Sequence, residues 1–187
     1  MSLTPWRKLR ETILDENPYW KYMLAMFLSP DEKETEFYYI ETTGAAVIVG
    51  VRDDGKIPLV RQFRPLFNKV SLEFPAGRIE VYEGADPAIG AAREFAEEAK
   101  MKAGHLELVG IHEPSASIVH EQVYVYVATE LSPVASGQDS FEEFEELAMT
   151  PEEIDGAIAR REITNGIIIA AWCQARPYVV DFLAKKR

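Results

Sequence analysis

The amino-acid sequence predicts an α/β protein, a mixed sheet between helices in an α/β/α sandwich, with a small β appendage before it. Three observations carry that expectation. Gly44-Ala45-Ala46-Val47-Ile48-Val49-Gly50-Val51 is a β-branched run suited to a central strand. Asp86-Pro87 opens a stretch in which Ala88, Ala91, Ala92, Phe95 and Ala99 recur at helical spacing. Asp is a good N-cap, and Pro suits the first helical position, where a missing N–H costs nothing. Thr150-Pro151-Glu152-Glu153 has the form of a capping box and starts a second helix, expected to run to about Arg161. A length of 187 residues favours one domain with at most a small appendage.

The remaining elements follow in order. Residues 5–20 are mixed and polar and predict no element. Tyr22 to Leu28 and Glu36 to Thr42 read as two strands of a hairpin around the turn signal Ser29-Pro30-Asp31-Glu32-Lys33. Residues 1–42 are therefore set apart as an extension, and 43–187 as the main domain. Asp53-Asp54-Gly55 is a tight turn into a strand from Ile57 to Phe63. Arg61 and Arg64 are read as pointing to one side of it, either as an exposed edge pair or as a fork for phosphate oxygens. Leu106 to His112 and Gln122 to Ala128 are further strands, as is Leu147-Ala148-Met149 after the acidic run Phe141 to Glu146. Ile167 to Ala175 opens a last helix, which Pro177 should kink or restart.

Composition narrows the function. With a net charge of −11, a nucleic-acid backbone is excluded as a non-specific partner, and an anionic ligand needs placed cations. The single cysteine, Cys173, permits no intrachain disulfide, which points to a reducing compartment, and its apolar neighbours read it as a buried structural thiol. Neither a signal-length apolar core nor an 18-residue apolar run is apparent, so a cytoplasmic protein with no membrane partner is expected.

The most informative stretch is Gly77 to Met101. On its helix, Glu94, Glu97 and Glu98 stand at i, i+3 and i+4 and share one side. Such a side is either a solvated acidic face, with Arg93 paired to Glu97, or a set of hard oxygen donors for a divalent ion. Upstream, Ser71-Leu72-Glu73-Phe74-Pro75-Ala76-Gly77 is a strand running into a glycine turn. The whole stretch resembles the Nudix box, G-x5-E-x7-R-E-U-x-E-E-x-G-U, where U is apolar. Gly77 and Glu83 fit its start, and Arg93-Glu94-Phe95-Ala96-Glu97-Glu98 fits REUxEE without a mismatch. Nine residues rather than seven separate Glu83 from Arg93, and Lys100 stands in the late glycine position.

Within that superfamily the chain resembles the ADP-ribose and nucleoside-diphosphate-sugar pyrophosphatases. The strand Arg61-Gln62-Phe63-Arg64 is similar to their RQYR segment, and Pro114, Ser115 and Glu121 match their P-S-x-G-x-x-x-E loop, with Ser117 in place of Gly. The resemblance implies Mg2+, with Mn2+ as a substitute, on Glu94, Glu97, Glu98 and the carbonyl of Ala76. It implies Arg93 as an orienting residue, paired with Glu97, Glu83 or both. Arg61, Arg64, Glu73, Ser115 and Glu121 become substrate contacts. A general base is expected on the acidic loop, at Glu142 or Glu143, with Glu97 as a further candidate. The expected reaction is hydrolysis of ADP-ribose or a nucleotide sugar, and the N-terminal hairpin is expected to support a homodimer. The alternatives are a Nudix domain that senses nucleotides without cleaving them, and an enzyme for nucleoside triphosphates or dinucleoside polyphosphates.

Overall fold

The computed structural model describes residues 3–80, 86–134 and 144–186. Its strands are β1 (Arg7–Glu16), β2 (Lys21–Leu28), β3 (Glu34–Glu41), β4 (Ala45–Gly50), β5 (Ile57–Arg64), β6 (Lys69–Glu73), β7 (Ala76–Arg78), β8 (Met101–Lys102), β9 (His105–His112), β10 (Val119–His120), β11 (Val123–Thr129), β12 (Ser132–Pro133) and β13 (Glu145–Met149). Its α-helices are α1 (Pro87–Glu98), α2 (Pro151–Ala159) and α3 (Gly166–Lys185). The chain forms two compact units, Met1–Thr43 with Glu113–Gln122, and Gly44–His112 with Val123–Arg187.

The first unit is a sheet of order β1-β2-β3-β10. Strands β2 and β3 form the expected hairpin, in register from Lys21↔Glu41 to Leu28↔Glu34. Residues 5–20 depart from expectation, because they contain β1. Each residue of β1 is exposed, and breaks in register between Lys8 and Arg10 and between Ile13 and Asp15 cancel the two-residue alternation. The opposite edge of β3 is taken by β10, which pairs with it in parallel, Val119↔Ile40 and His120↔Glu41.

The second unit is built on a mixed sheet of order β7-β4-β11-β9. Strands β4 and β11 run parallel, from Val123↔Ala45 to Ala128↔Gly50. Alternation along β4 divides the core in two. Val47 and Val49 join Val123, Val125 and Val127 in a cluster with Ile168, Ala171, Trp172, Ala175 and Val179 of α3. Ala46 and Ile48 join Tyr126 and Ala128 in a second cluster with Ala91, Phe95 and Ala99 from α1 and its end. Helices thus cover both faces, and the fold is an α/β/α sandwich. Gly50 is needed on the α1 face, where a Cβ would lie 2.7 Å from the Phe95 ring. A second sheet, β13-β5-β6, is antiparallel.

Both helix starts are as expected. Asp86 accepts from the Ala88 N–H, and Thr150 and Glu153 make a reciprocal capping box. At the end of the chain Pro177 does not restart a helix, since α3 is continuous from Gly166 to Lys185. The proline removes the N–H that would bond to the Cys173 carbonyl, but Pro177 and Cys173 both lie on the exposed side. Buried residues before and after it, Trp172, Ala175 and Val179, hold both halves in the core. Cys173 itself is exposed rather than buried. By length and composition α3 is also apolar enough to cross a membrane, with a mean hydropathy of 1.3. Its apolar stripe is instead spent on the sheet, and Arg176 on its side forks to Asp155 of α2 at 2.7–2.9 Å.

Candidate active site

The carboxylate helix lies against the short strand β7. Glu98 ends α1 and is only 6% exposed, unusual for a carboxylate. Its Oε2 accepts from the Ala76 N–H at 3.0 Å. Glu94, one turn earlier, sits directly over Gly77, where a Cβ would meet its Cδ at 2.0 Å and its oxygens at 2.1 and 2.4 Å. The glycine therefore makes room for a carboxylate, which a chain turn alone would not require.

Arg93 organises the outer part of this cluster. One guanidinium nitrogen lies 2.7 Å from Glu94 Oε1 and 3.2 Å from Glu97 Oε2, and the other donates to the Arg78 carbonyl at 3.0 Å. The pairing of Arg93 with Glu97 is as the i, i+4 spacing predicts, while its bonds to Glu94 and to β7 were not legible in the sequence. Glu83, the other expected partner, lies outside the described residues, as do Glu142 and Glu143. Ala92, expected on the apolar face, is exposed.

The donor set fits a hard divalent cation in its chemistry, since Glu94, Glu97 and Glu98 offer only carboxylate oxygens beside the Ala76–Gly77 backbone. Among the described residues, no three acidic, histidine or cysteine side chains are already gathered around one point. Arg93 lies between two of the carboxylates, within ion-pair distance of both Glu94 and Glu97.

The arginines of β5 require a correction. Arg61 and Arg64 are three residues apart, so they fall on opposite faces of the strand rather than one. Arg61 bonds to Glu145 Oε1 of β13 at 2.8 Å. Arg64 forks to both oxygens of Glu73, at 2.9 and 2.7 Å. Glu73 is 1% exposed and lines a cavity of about 190 Å³ with Arg64, Lys69, Thr164 and Asn165. Burial pushes its carboxyl up, but hydrogen bonds from Arg64, then Ser71 and Asn165, outweigh burial and hold it below the ordinary carboxylate range. Removing Arg64 would leave a buried charge without its fork.

Arg64→Ala is therefore expected to destabilise the fold by about 2–3 kcal/mol, below the range for a fully buried pair because Arg64 is 40% exposed. The sign of the pH dependence follows from the lowered carboxyl. The pair's contribution is complete above the unfolded glutamate value, about 4.3, and disappears as pH falls through the lower folded value. Denaturant midpoints of wild type and variant should differ at pH 7 and converge in strong acid. An unchanged midpoint with a raised KM would make Arg64 a substrate contact instead.

Ser115 and Glu121 belong to the first unit. The Ser115 carbonyl closes a turn by accepting from the N–H groups of Ile118 and Val119, at 3.0 and 2.8 Å. Glu121 accepts from the Thr42 hydroxyl at 2.9 Å and lines a cavity of about 400 Å³ with Phe37, Tyr39 and Ile118. His120, on β10, is exposed and lies 3.5 Å from Glu41.

Lys100 explains its own departure from the motif. It follows α1 in the left-handed region, at φ +52°, the conformation that glycine adopts without strain. Lysine is tolerated there, and its ammonium pairs with Glu146 of β13.

Comparison with known proteins places this geometry. A model of the NUDIX domain matches residues 41–170, well over half of the chain. The chain is 31% identical over 136 residues to an ADP-ribose pyrophosphatase of Bacillus subtilis, covering 72% of each protein. It is 34% identical over 133 residues to an ADP-ribose pyrophosphatase of Mycobacterium tuberculosis, covering 70% of this chain and 64% of that one. Among solved structures, a crystal structure of an ADP compounds hydrolase has the same fold, with a TM-score of 0.82, 17% identity and 97% of both chains covered. The REUxEE helix packed over its glycine, the α/β/α sandwich around it and the matching family model agree, and the chain belongs to the Nudix family.

Proposed function

We propose that this protein is a metal-dependent pyrophosphohydrolase that cleaves ADP-ribose or a related nucleoside-diphosphate sugar to a nucleoside monophosphate and a sugar phosphate. The observation that carries the reading is the placement of Glu94 and Glu98 against Ala76–Gly77. The relatives named ADP-ribose pyrophosphatases support the substrate class. Glu94, Glu98 and Glu97, with the Ala76 carbonyl, would hold Mg2+, and Mn2+ is a fitting substitute. Once bound, such an ion neutralises pyrophosphate charge and acidifies water.

The chain's own residues supply the rest. Arg93 keeps Glu94 and Glu97 turned towards β7. Arg61, on the surface, offers a fork to a substrate phosphate once it leaves Glu145. Ser115 and Glu121 contact the substrate from their loop. Glu142 or Glu143 takes the proton from the attacking water, since a side-chain carboxylate near the reacting phosphorus is a suitable base. Arg64 and Glu73 act together, forked to one another at the wall of the cavity they line. The protein acts in the cytoplasm as a homodimer. Trp6, Leu9, Ile13 and Leu14, at and beside β1, together with Phe37 on β3, expose apolar surface that a second copy would cover.

One preparation tests all of this. Incubation with Mg2+ and ADP-ribose should release AMP and ribose phosphate, an activity that EDTA abolishes. Nucleotide sugars, nucleoside triphosphates and dinucleoside polyphosphates serve as the competing panel. Preference for a triphosphate would overturn the substrate class, and tight binding without cleavage would favour the sensing alternative. The acidic limb of the pH–rate profile should vanish in one of the variants Glu142→Gln and Glu143→Gln. Light scattering at micromolar concentration should give twice the chain mass.

A further inference from the structure

We infer that Asn165–Gly166 is a latent modification site, whose asparagine deamidates when the first turn of α3 opens. The pair sits where that helix begins, with Asn165 as its cap. Gly166 is exposed, and a Cβ added to it would meet nothing within 4 Å. It is not among the glycines at positive φ. Neither space nor conformation therefore requires glycine here, in contrast to Gly50 and Gly77. What the missing side chain leaves is an uncrowded backbone nitrogen beside an amide side chain. As the first residue of the helix, Gly166 also has an N–H without an intrahelical partner.

The chemistry needs only water. The Gly166 nitrogen, having given its proton to solvent base, bonds to Asn165 Cγ. The Cγ–Nδ2 bond breaks, ammonia leaves, and a succinimide ring closes. Water then opens the ring at either carbonyl, leaving an aspartate or a backbone rerouted through the side chain. Either product adds a carboxylate to the cavity that Asn165 lines together with Arg64 and Glu73. The amide that bonds to Glu73 thus gives way to a second acid.

The native structure holds the site closed. Asn165 Oδ1 accepts from the Ile167 N–H at 3.0 Å. Its ψ of 118° turns the Gly166 nitrogen away from the side chain. Lys69 bonds to the Thr164 hydroxyl at 2.5 Å, and Ile168, 1% exposed, anchors the first turn in the core. Attack therefore awaits loss of the capping bond and rotation about the Asn165 Cα–C bond, a local opening of the helix end. The other asparagines lack the pair. Asn17 precedes Pro18, whose nitrogen has no proton to lose, and Asn68 precedes Lys69, whose side chain crowds the attack.

The test follows peptide masses with time in protein kept at mildly alkaline pH, native and in urea. Replacement of NH by O at Asn165 should be at least about tenfold slower in the native protein, a factor within reach of a capping bond. In urea Asn165 should outpace Asn68, and Asn17 should stay intact. Gly166→Ala should suppress the product in both states. Its denaturant midpoint should be unchanged or slightly higher, since alanine meets no obstacle and restricts the unfolded chain. Below the unfolding transition, the native rate should rise in step with amide exchange of Ile167. Asn165→Asp, which keeps an equal cap, should lower the midpoint at neutral pH because it faces Glu73. Absence of product at Asn165 in urea overturns the inference, as does an undiminished rate in Gly166→Ala. A native rate equal to that in urea, or one independent of Ile167 exchange, overturns the gating by the cap. An unchanged midpoint in Asn165→Asp overturns the effect on Glu73.

Discussion

Glu98→Gln is expected to lower kcat by about 10²–10³-fold while leaving the fold intact, a loss comparable with removing one preorganised electrostatic group from an active site. The substitution keeps the size of the side chain and one oxygen that can still accept from the Ala76 N–H. What it removes is a negative charge at a position only 6% exposed. Burying an amide is easier than burying a carboxylate, so thermal stability should be unchanged or slightly higher. The measurement is kcat at saturating Mg2+ beside the melting temperature of the metal-free protein. Turnover near that of wild type would remove Glu98 from the metal site, whatever happened to stability.

Gly77→Ala should separate function from folding in a different way. The added methyl would stand 2.0 Å from the Glu94 carboxyl carbon, so that carboxylate has to move. It is the far end of a flexible side chain and moves without breaking the core. Gly77 is not among the glycines at positive φ, so alanine meets no backbone strain. Replacing glycine at such a position stabilises by about 0.4–1 kcal/mol through the unfolded chain, which offsets part of the disturbance. The melting temperature should therefore shift by only a few degrees. Activity should fall by about 10²-fold, as expected when a charged group is displaced by an ångström or more. Calorimetric titration with Mg2+ or Mn2+ should show weakened binding. Full activity in this variant would mean that Glu94 does not need its place over the strand.

The sequence was most legible where a side chain bonds to its own neighbourhood. Asp86, Pro87, Thr150 and Glu153 announce helix starts through contacts within three residues, and both helices are found there. The box glutamates share a face because helical spacing alone puts them together. Legibility failed where partners come from afar or where an element lacks a buried face. Strand β1 has neither burial nor clean alternation, so nothing in its composition marked it. The ion pairs that occupy Arg61, Arg64 and Lys100 join residues 84, 9 and 46 positions away, and spacing is silent on such pairs. Cys173 was taken as buried but sits on the outer side of α3, and an apolar run does not say which of its residues face inward.

The parallel pairing of β10 with β3 also constrains how the chain is made. Residues up to Thr43 leave the ribosome ahead of Glu113–Gln122, to which the strand that closes their sheet belongs. About 70 residues must be synthesised in between, which at usual translation rates occupies several seconds. Throughout that interval the outer edge of β3 has no partner from its own chain, and an open strand edge invites pairing with another nascent chain. A deletion that removes the first 43 residues would create the converse problem, leaving β10 with no strand to join. The leading segment is thus no detachable tag on the enzyme, because the later chain returns to complete it.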